Sequence, residues 1–379
     1  MTVTLGSVLS CLTSSTLLTI LAWVILKGEF TFKTVGRYIC ILLAAIPVRM
    51  LLPVEFGFTT TFYSRHFMTS VRDFLFIEIN SGASAVTIGQ VLLFVWIAGV
   101  ICNCCLRVGE YLYFIHMIRR CPNYYEHNMD TVISEINRDY GKRKKKKFKV
   151  LLVPGIRTPA VFGVVHPQIL MPVTNYSQGE IYFILRHEML HYYHRDMLVR
   201  ILCEFLCTIY WWNPAVYLFE RLVVQVLEIR VDSVLAAGFS EAEKIGYMEC
   251  ILKSIKAGGA EKTPLMITFA AQKGKAIKQR FYCIWGNHWQ SKRRKGFFMA
   301  AFSCLLFLMS VSVVVESLYS EEVPGTFGYP NPETSYLLER DGGYGVYIDG
   351  EFMGEVLEIT EPITELEIYK DEGELKNEN

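Results

Sequence analysis

Residues 177–191 read SQGEIYFILRHEMLH, and the rest of the chain is interpreted from this stretch. Ser177, with Glu180 three positions on, is a capping-box pattern that starts a helix. Ile181, Ile184 and Leu185 carry that helix into His187-Glu188-Met189-Leu190-His191. Residues i and i+4 share a helix face, so both imidazoles can reach one metal ion, with Glu188 one step round toward an open coordination position. Zinc lowers the pKa of a bound water to about 7, and a carboxylate beside it can take the proton. H-E-x-x-H arises by chance about once in a hundred chains of this length, so the motif needs company.

A catalytic zinc takes a third protein ligand. Downstream, Trp212-Asn213-Pro214 breaks the chain, and a second apolar helix runs from Ala215 into Val226-Leu227-Glu228-Ile229-Arg230-Val231-Asp232. Glu228 and Asp232 are again i and i+4. Glu228 is the candidate third ligand, and Asp232 the acceptor for a ligand histidine's distal N–H. His194 and Asp196 are rivals for the third position; outside that role, Asp196 joins Asp232 as outer support. The bland alternative is two solvated carboxylates on an amphipathic helix. Arg186, Arg200 and Arg230 are candidate oxyanion donors.

Upstream, Val150 to Val153 reads as a short buried strand. A loop punctuated by Pro159, Gly163 and Pro167 then leads to Ile169-Leu170-Met171, stopped by Pro172. Tyr247 to Ile255 and Ala276 to Ile284 read as amphipathic helices, with Arg280 and its neighbours solvating a face near the membrane.

The surroundings of this segment are apolar. Hydrophobic residues make up 52% of the 379, charged ones 20%, and mean hydropathy is +0.28, which excludes a disordered chain and argues against a wholly soluble one. Runs long enough to span a bilayer lie at about 5–26, 83–106 and 296–316, with a shorter candidate at 38–54 holding Pro47 and Arg49. A cleavable signal peptide competes for the first run, but no positive n-region precedes it and no A-x-A site follows. Met197 to Leu218 is apolar too, yet Arg200, Glu204 and Pro214 interrupt it. A crossing there would put Glu228 across the membrane from His187, so a helical hairpin beside the zinc site is expected.

Lys27, Lys33 and Arg37, then Arg107, Arg119, Arg120 and the lysine run to Lys149, then Lys292 to Lys295, mark the cytoplasmic flanks. One threading fits: four crossings with both termini outside. From Tyr319 onward there are 16 acidic and 3 basic residues, which places an acidic tail on the exterior. The eleven cysteines, at 11, 40, 102, 104, 105, 121, 203, 207, 250, 283 and 304, all fall in spans or on the inner side, as reducing conditions allow. Cys102, Cys104 and Cys105 lack metal spacing and read as core thiols. The lysine run suits an anionic inner leaflet; without aromatic interleaving it does not argue for nucleic acid.

Taken together, Pro159-x-x-x-Gly163, Pro167-x-Ile169-Leu170-x-Pro172, His187-Glu188-x-x-His191 followed by Asp196, Asn213-Pro214 and Glu228-x-x-x-Asp232 resemble the membrane-embedded zinc metallopeptidases of the BlaR/MecR antibiotic-sensing type. The resemblance covers roughly residues 1–290. It implies a gluzincin-type fold, zinc on His187, His191 and Glu228, and Glu188 as catalytic acid/base. It also implies a sensor-transducer that, on an external stimulus, cleaves itself or a cytoplasmic transcriptional repressor. One departure stands out: the only lysines of the acidic tail, Lys370 and Lys376, follow Glu367 and Gly373 by three, so that stretch holds no acylatable S-x-x-K.

The expected architecture is therefore a mainly α membrane protein. Residues 1–107 hold three spans, 108–295 a cytoplasmic α+β zinc protease domain and 296–316 a fourth span. Residues 317–379 form a small extracellular β module, with a hairpin around Asp349-Gly350. The expected partners are a cytoplasmic protein substrate or the chain itself, the bilayer, and a second copy as a homodimer; no direct nucleic-acid contact is expected. A constitutive quality-control protease of the HtpX type and a non-catalytic receptor that binds a regulator are the alternatives.

Overall fold

In a computed structural model of the protein, the described residues are 4–27, 39–53, 58–64, 67–81, 84–122, 129–140, 147–156, 158–258, 274–286, 293–317, 335–340, 343–348, 351–356, 363 and 366–369. The lysine run at 142–146 and the Asp349-Gly350 turn lie outside them. By contact, the chain divides into one unit of Met1–Thr61 with Glu78–Val314 and a second of Phe62–Ile77 with Val315–Asn379.

The first unit is mostly helical. It opens with α1 (Leu5–Lys27) and α2 (Ile39–Leu51). β1 (Thr60–Ser64) begins in this unit, its remainder and α3 (Phe67–Phe76) belong to the second, and β2 (Glu78–Ser81) and β3 (Ser84–Thr87) lead to the 32-residue α4 (Ile88–Arg119). Only α1 and α4 are long and apolar enough to cross a bilayer among the described residues; Ile39–Leu51 and Ala300–Ser312 are shorter apolar helices.

The helix that carries the third expected span, 83–106, starts later than that run and extends past it. Ser84–Thr87 pairs with Glu78–Ser81 as a hairpin, and Thr87 then caps α4 through a reciprocal bond with Gln90, so the helix cannot start earlier. Past Arg107 it continues to Arg119, because polar Arg107 and Glu110 end the apolar run without breaking the helix. Cys102, Cys104 and Cys105 are exposed, not core thiols. α4 carries apolar side chains on all faces, so apolarity there does not mark an inward face.

Beyond α5 (Met129–Tyr140), a three-stranded sheet runs β4-β6-β5 from β4 (Lys149–Val153), β5 (Ala160–Phe162) and β6 (Gln168–Pro172). β4 pairs with β6 in parallel, Leu151 opposite Leu170, and β5 pairs antiparallel, Val161 opposite Ile169. Within the stretch read as a loop, β5 is too short at three residues to show alternation. It ends at Gly163, whose φ of +93° suits glycine and where a Cβ would meet the His166 carbonyl oxygen at 2.5 Å.

Four helices then build the site: α6 (Gln178–Tyr193), α7 (Asp196–Ile209), α8 (Pro214–Ala236) and α9 (Glu241–Gly258), joined after the undescribed 259–273 by α10 (Gly274–Gly286). α6 begins where its capping box predicts: the Ser177 amide donates to Glu180 Oε2 at 2.7 Å and the Glu180 amide to Ser177 Oγ at 3.3 Å. α8 starts with Asn213 accepting from the Ala215 amide and Pro214 in the first turn. α7 and α8 form the expected hairpin. Cys203, Leu206, Phe219, Leu222 and Val226 share one buried core with Leu18, Ala22 and Leu26 of α1 and Leu42 and Ile46 of α2.

α11 (Arg293–Ser312) ends in β7 (Val313–Ser317), which pairs with β1. The span expected to 316 thus gives way at Val313-Val314-Val315, β-branched residues that favour a strand. In the second unit, a four-stranded sheet runs β10-β9-β8-β11 from β8 (Ser335–Arg340), β9 (Gly343–Ile348), β10 (Glu351–Val356) and β11 (Glu367–Tyr369). Its small core is Leu337, Val346 and Leu366.

Candidate metal centre

α6 and α8 cross so that His187, His191 and Glu228 offer ligand atoms all within 4.8 Å of one another. His187 Nε2 lies 2.9 Å from His191 Nε2, 3.7 Å from Glu228 Oε2, and His191 Nε2 lies 3.7 Å from Glu228 Oε1. All three side chains are fully buried.

The outer nitrogens settle how the rings are protonated. Asp196 Oδ2 sits 2.7 Å from His191 Nδ1, and an ionised carboxylate only accepts, so that nitrogen carries the proton. Tyr247 spends its hydroxyl proton on Asp232 Oδ1 at 2.6 Å, so its oxygen accepts from His187 Nδ1, also at 2.6 Å. Both Nε2 lone pairs then point at one another. Two lone pairs 2.9 Å apart repel unless a cation lies between them. Burial pulls His191 down, but the Asp196 hydrogen bond and the Glu228 and Asp196 charges hold it above its ordinary value. His187 is held well below, by burial, then by His191 and Arg280.

The residues present fit a metal ion. Ligands on a tetrahedral zinc, with bonds of about 2.0–2.1 Å, stand roughly 3.4 Å apart, and the observed spacings bracket that value. Both Glu188 oxygens are buried without a hydrogen bond, and those of Glu228 have none either, with only the Arg280 guanidinium beside Oε2 at 3.1 Å. Unsatisfied buried carboxylates are costly, and a cation relieves them. Burial pushes Glu188 up to about 7, opposed by the charge on His191; the Val161 amide of β5 adds a smaller pull downward without closing a full hydrogen bond. Glu228 is also raised, chiefly by burial.

The turn after α6 brings Asp196 back under His191. Arg195 holds a left-handed backbone, φ 60° and ψ 33°, unusual for a residue with a Cβ. Asp196 also pairs with Arg230 of α8. Despite burial, its hydrogen bond to His191 holds it below the usual carboxylate range. His194 caps the end of α6 and stands outside the ligand cluster.

Two expectations need correction. Asp232 Oδ1 is 3.5 Å from His187 Nδ1, so its support reaches the ring through Tyr247. Arg280 is fully buried and solvates nothing: Nε donates to Asp232 Oδ2 at 2.5 Å, Nη2 to Oδ1 at 2.9 Å, and Nη1 stands 3.1 Å from Glu228 Oε2. A bidentate carboxylate partner outweighs solvation for such a group. Of the candidate oxyanion donors, Arg186 bonds Tyr182 and Arg230 bonds Asp196, whereas Arg200 feels the Glu228 charge. Tyr247 and Arg280 are the groups that sequence reasoning missed.

The BlaR1 peptidase M56 family model matches residues 58–284, more than half of the chain and all of the groups just described. The chain is 26% identical over 180 residues to the regulatory protein BlaR1 of Bacillus licheniformis, covering 46% of this chain and 30% of that protein. It is 31% identical over 112 residues to the methicillin resistance mecR1 proteins of Staphylococcus aureus and Staphylococcus epidermidis, covering 29% of this chain and 19% of theirs. The matched lengths are thus under a third of these relatives. On the extent of the family match, and with a His-His-Glu cluster inside it, the chain belongs to the BlaR1 peptidase M56 family of metal-dependent peptidases.

Proposed function

We propose that the protein is an integral-membrane zinc endopeptidase acting in regulated proteolysis, cleaving itself or a cytoplasmic transcriptional repressor after an external stimulus. The observation that carries the catalytic part is the convergence of two Nε2 lone pairs and the Glu228 carboxylate beside the unbonded Glu188. In this reading His187, His191 and Glu228 hold the ion, and Asp196, Tyr247 and Asp232 fix the two rings. Zinc supplies Lewis acidity there and makes water a nucleophile at neutral pH. Glu188 takes the proton from the attacking water and returns it to the leaving amine.

The names of the relatives support the regulatory part, in a response to an antibiotic. We read the chain as crossing the membrane four times, with both termini outside and the peptidase inside. The apolar α1 and α4 and the basic flanks support this topology.

The test is zinc content and cleavage of a co-expressed candidate repressor by the full chain. Glu188→Gln keeps zinc and loses cleavage by about 100-fold or more. His187→Ala and Glu228→Ala lose both. Zinc and activity retained in Glu228→Ala would move the third ligand elsewhere, and signalling retained in Glu188→Gln would make the protein a receptor that acts without hydrolysis.

A further inference from the structure

α10 reaches the metal-binding groups from outside the motif-bearing helices, and it carries two buried polar side chains in succession, Gln279 and Arg280. The single guanidinium of Arg280 spans both carboxylates of the Glu228-x-x-x-Asp232 face, gripping Asp232 with two hydrogen bonds and standing 3.1 Å from Glu228 Oε2. Gln279 grips in the other direction. Its Nε2 donates to the Leu26 carbonyl at 2.7 Å, and its Oε1 accepts from Gln225 of α8. Leu26 lies in the last turn of α1, whose carbonyls have no partner within the helix, so the carboxamide closes the inner end of that membrane helix. Adjacent residues of one rigid element therefore hold the end of α1 and the carboxylate that faces the two imidazoles. A lysine could neutralise Asp232, but as a point charge it could not keep the fork that fixes both carboxylates.

We propose that Arg280 is a positioning residue for the metal-binding carboxylate Glu228, and that Gln279 ties that position to the inner end of α1. A shift of α1 is then relayed to the metal centre through Gln279 and Arg280, beside the direct packing of α1 on α8. This rests on the zinc reading of His187, His191 and Glu228.

The test uses the full chain in nanodiscs. Zinc affinity is read by competition with a chromophoric chelator, and coordination by the visible absorption of the cobalt(II)-substituted protein. Arg280→Lys weakens zinc by on the order of 10–100-fold and alters the cobalt band. Gln279→Ala, which touches no ligand, weakens zinc less and moves the band in the same direction. Wild-type affinity and spectrum in Arg280→Lys would reduce Arg280 to charge compensation, and an unaltered Gln279→Ala would remove the tie to α1. If Arg280→Lys does not fold, the Gln279→Ala spectrum decides. A wild-type chain whose zinc binding is indifferent to His187→Ala would overturn the zinc reading and this proposal together, whereas normal wild-type binding with unaltered variants overturns this proposal alone.

Discussion

Tyr247→Phe removes one oxygen atom from the support of the metal site and little else. The ring packs against Phe183 at 5.6 Å and Phe239 at 5.7 Å, and phenylalanine keeps those contacts. Two hydrogen bonds disappear, one donated to the Asp232 carboxylate and one accepted from His187, each 2.6 Å long. A bond to a charged group is worth about 1.5–3 kcal/mol and a neutral one about 0.5–1.5 kcal/mol, so the buried network loses about 2–4.5 kcal/mol. His187 Nδ1 is left facing Asp232 Oδ1 at 3.5 Å, too far to fix the proton on that nitrogen. The ring can then turn its Nε2 lone pair away from the ion. Zinc affinity should fall by about 10–100-fold, or about 1.4–2.8 kcal/mol. Chelator competition measures this, and thermal unfolding with and without zinc should show a smaller zinc-induced stabilisation in the variant. Zinc affinity within about twofold of wild type, in a chain where His187→Ala abolishes binding, would refute the relay from Asp232 through Tyr247.

Further outcomes follow from the same geometry. Burial raises Glu188 from 4.5 to about 7, so in the metal-free chain its protonated form favours the fold. That contribution is present below pH 4.5 and is lost as pH rises through 7; melting of chelator-treated wild type and Glu188→Gln should show a steeper decline in the wild type over this window. Ser177→Ala removes the cap of α6 and should cost about 1 kcal/mol by denaturant unfolding, with faster amide exchange in the first turn and no change in the ligand set. Arg195 is exposed and its backbone is left-handed, so Arg195→Gly should exceed Arg195→Val in stability by about 2 kcal/mol, measured by the same unfolding.

Much of the site could be read along single helices. His187, Glu188 and His191 share one face by spacing alone, as do Glu228 and Asp232, and Asn213-Pro214 marks where the second helix restarts. Tyr247 and Arg280 could not be found in this way. Each reaches the centre through tertiary packing from dozens of residues away, and the pattern around Arg280 is that of any basic amphipathic helix. The ends of α4 and α11 were set by local hydrogen bonding and β-branched residues, which an average of apolarity does not register. The cysteines of α4 misled for a related reason: a helix apolar on every face gives no sequence cue to which face is covered.

Glu188, His187, His191 and Glu228 have no solvent-accessible surface. A chelator therefore cannot take the ion by direct attack; the protein must first breathe. Metal loss should follow a rate that levels off with chelator concentration, set by the frequency of that opening. An extended peptide needs an aperture wider still. For this fold, turnover and demetallation would then share one gate, and a condition that speeds the first would shorten the residence time of the metal.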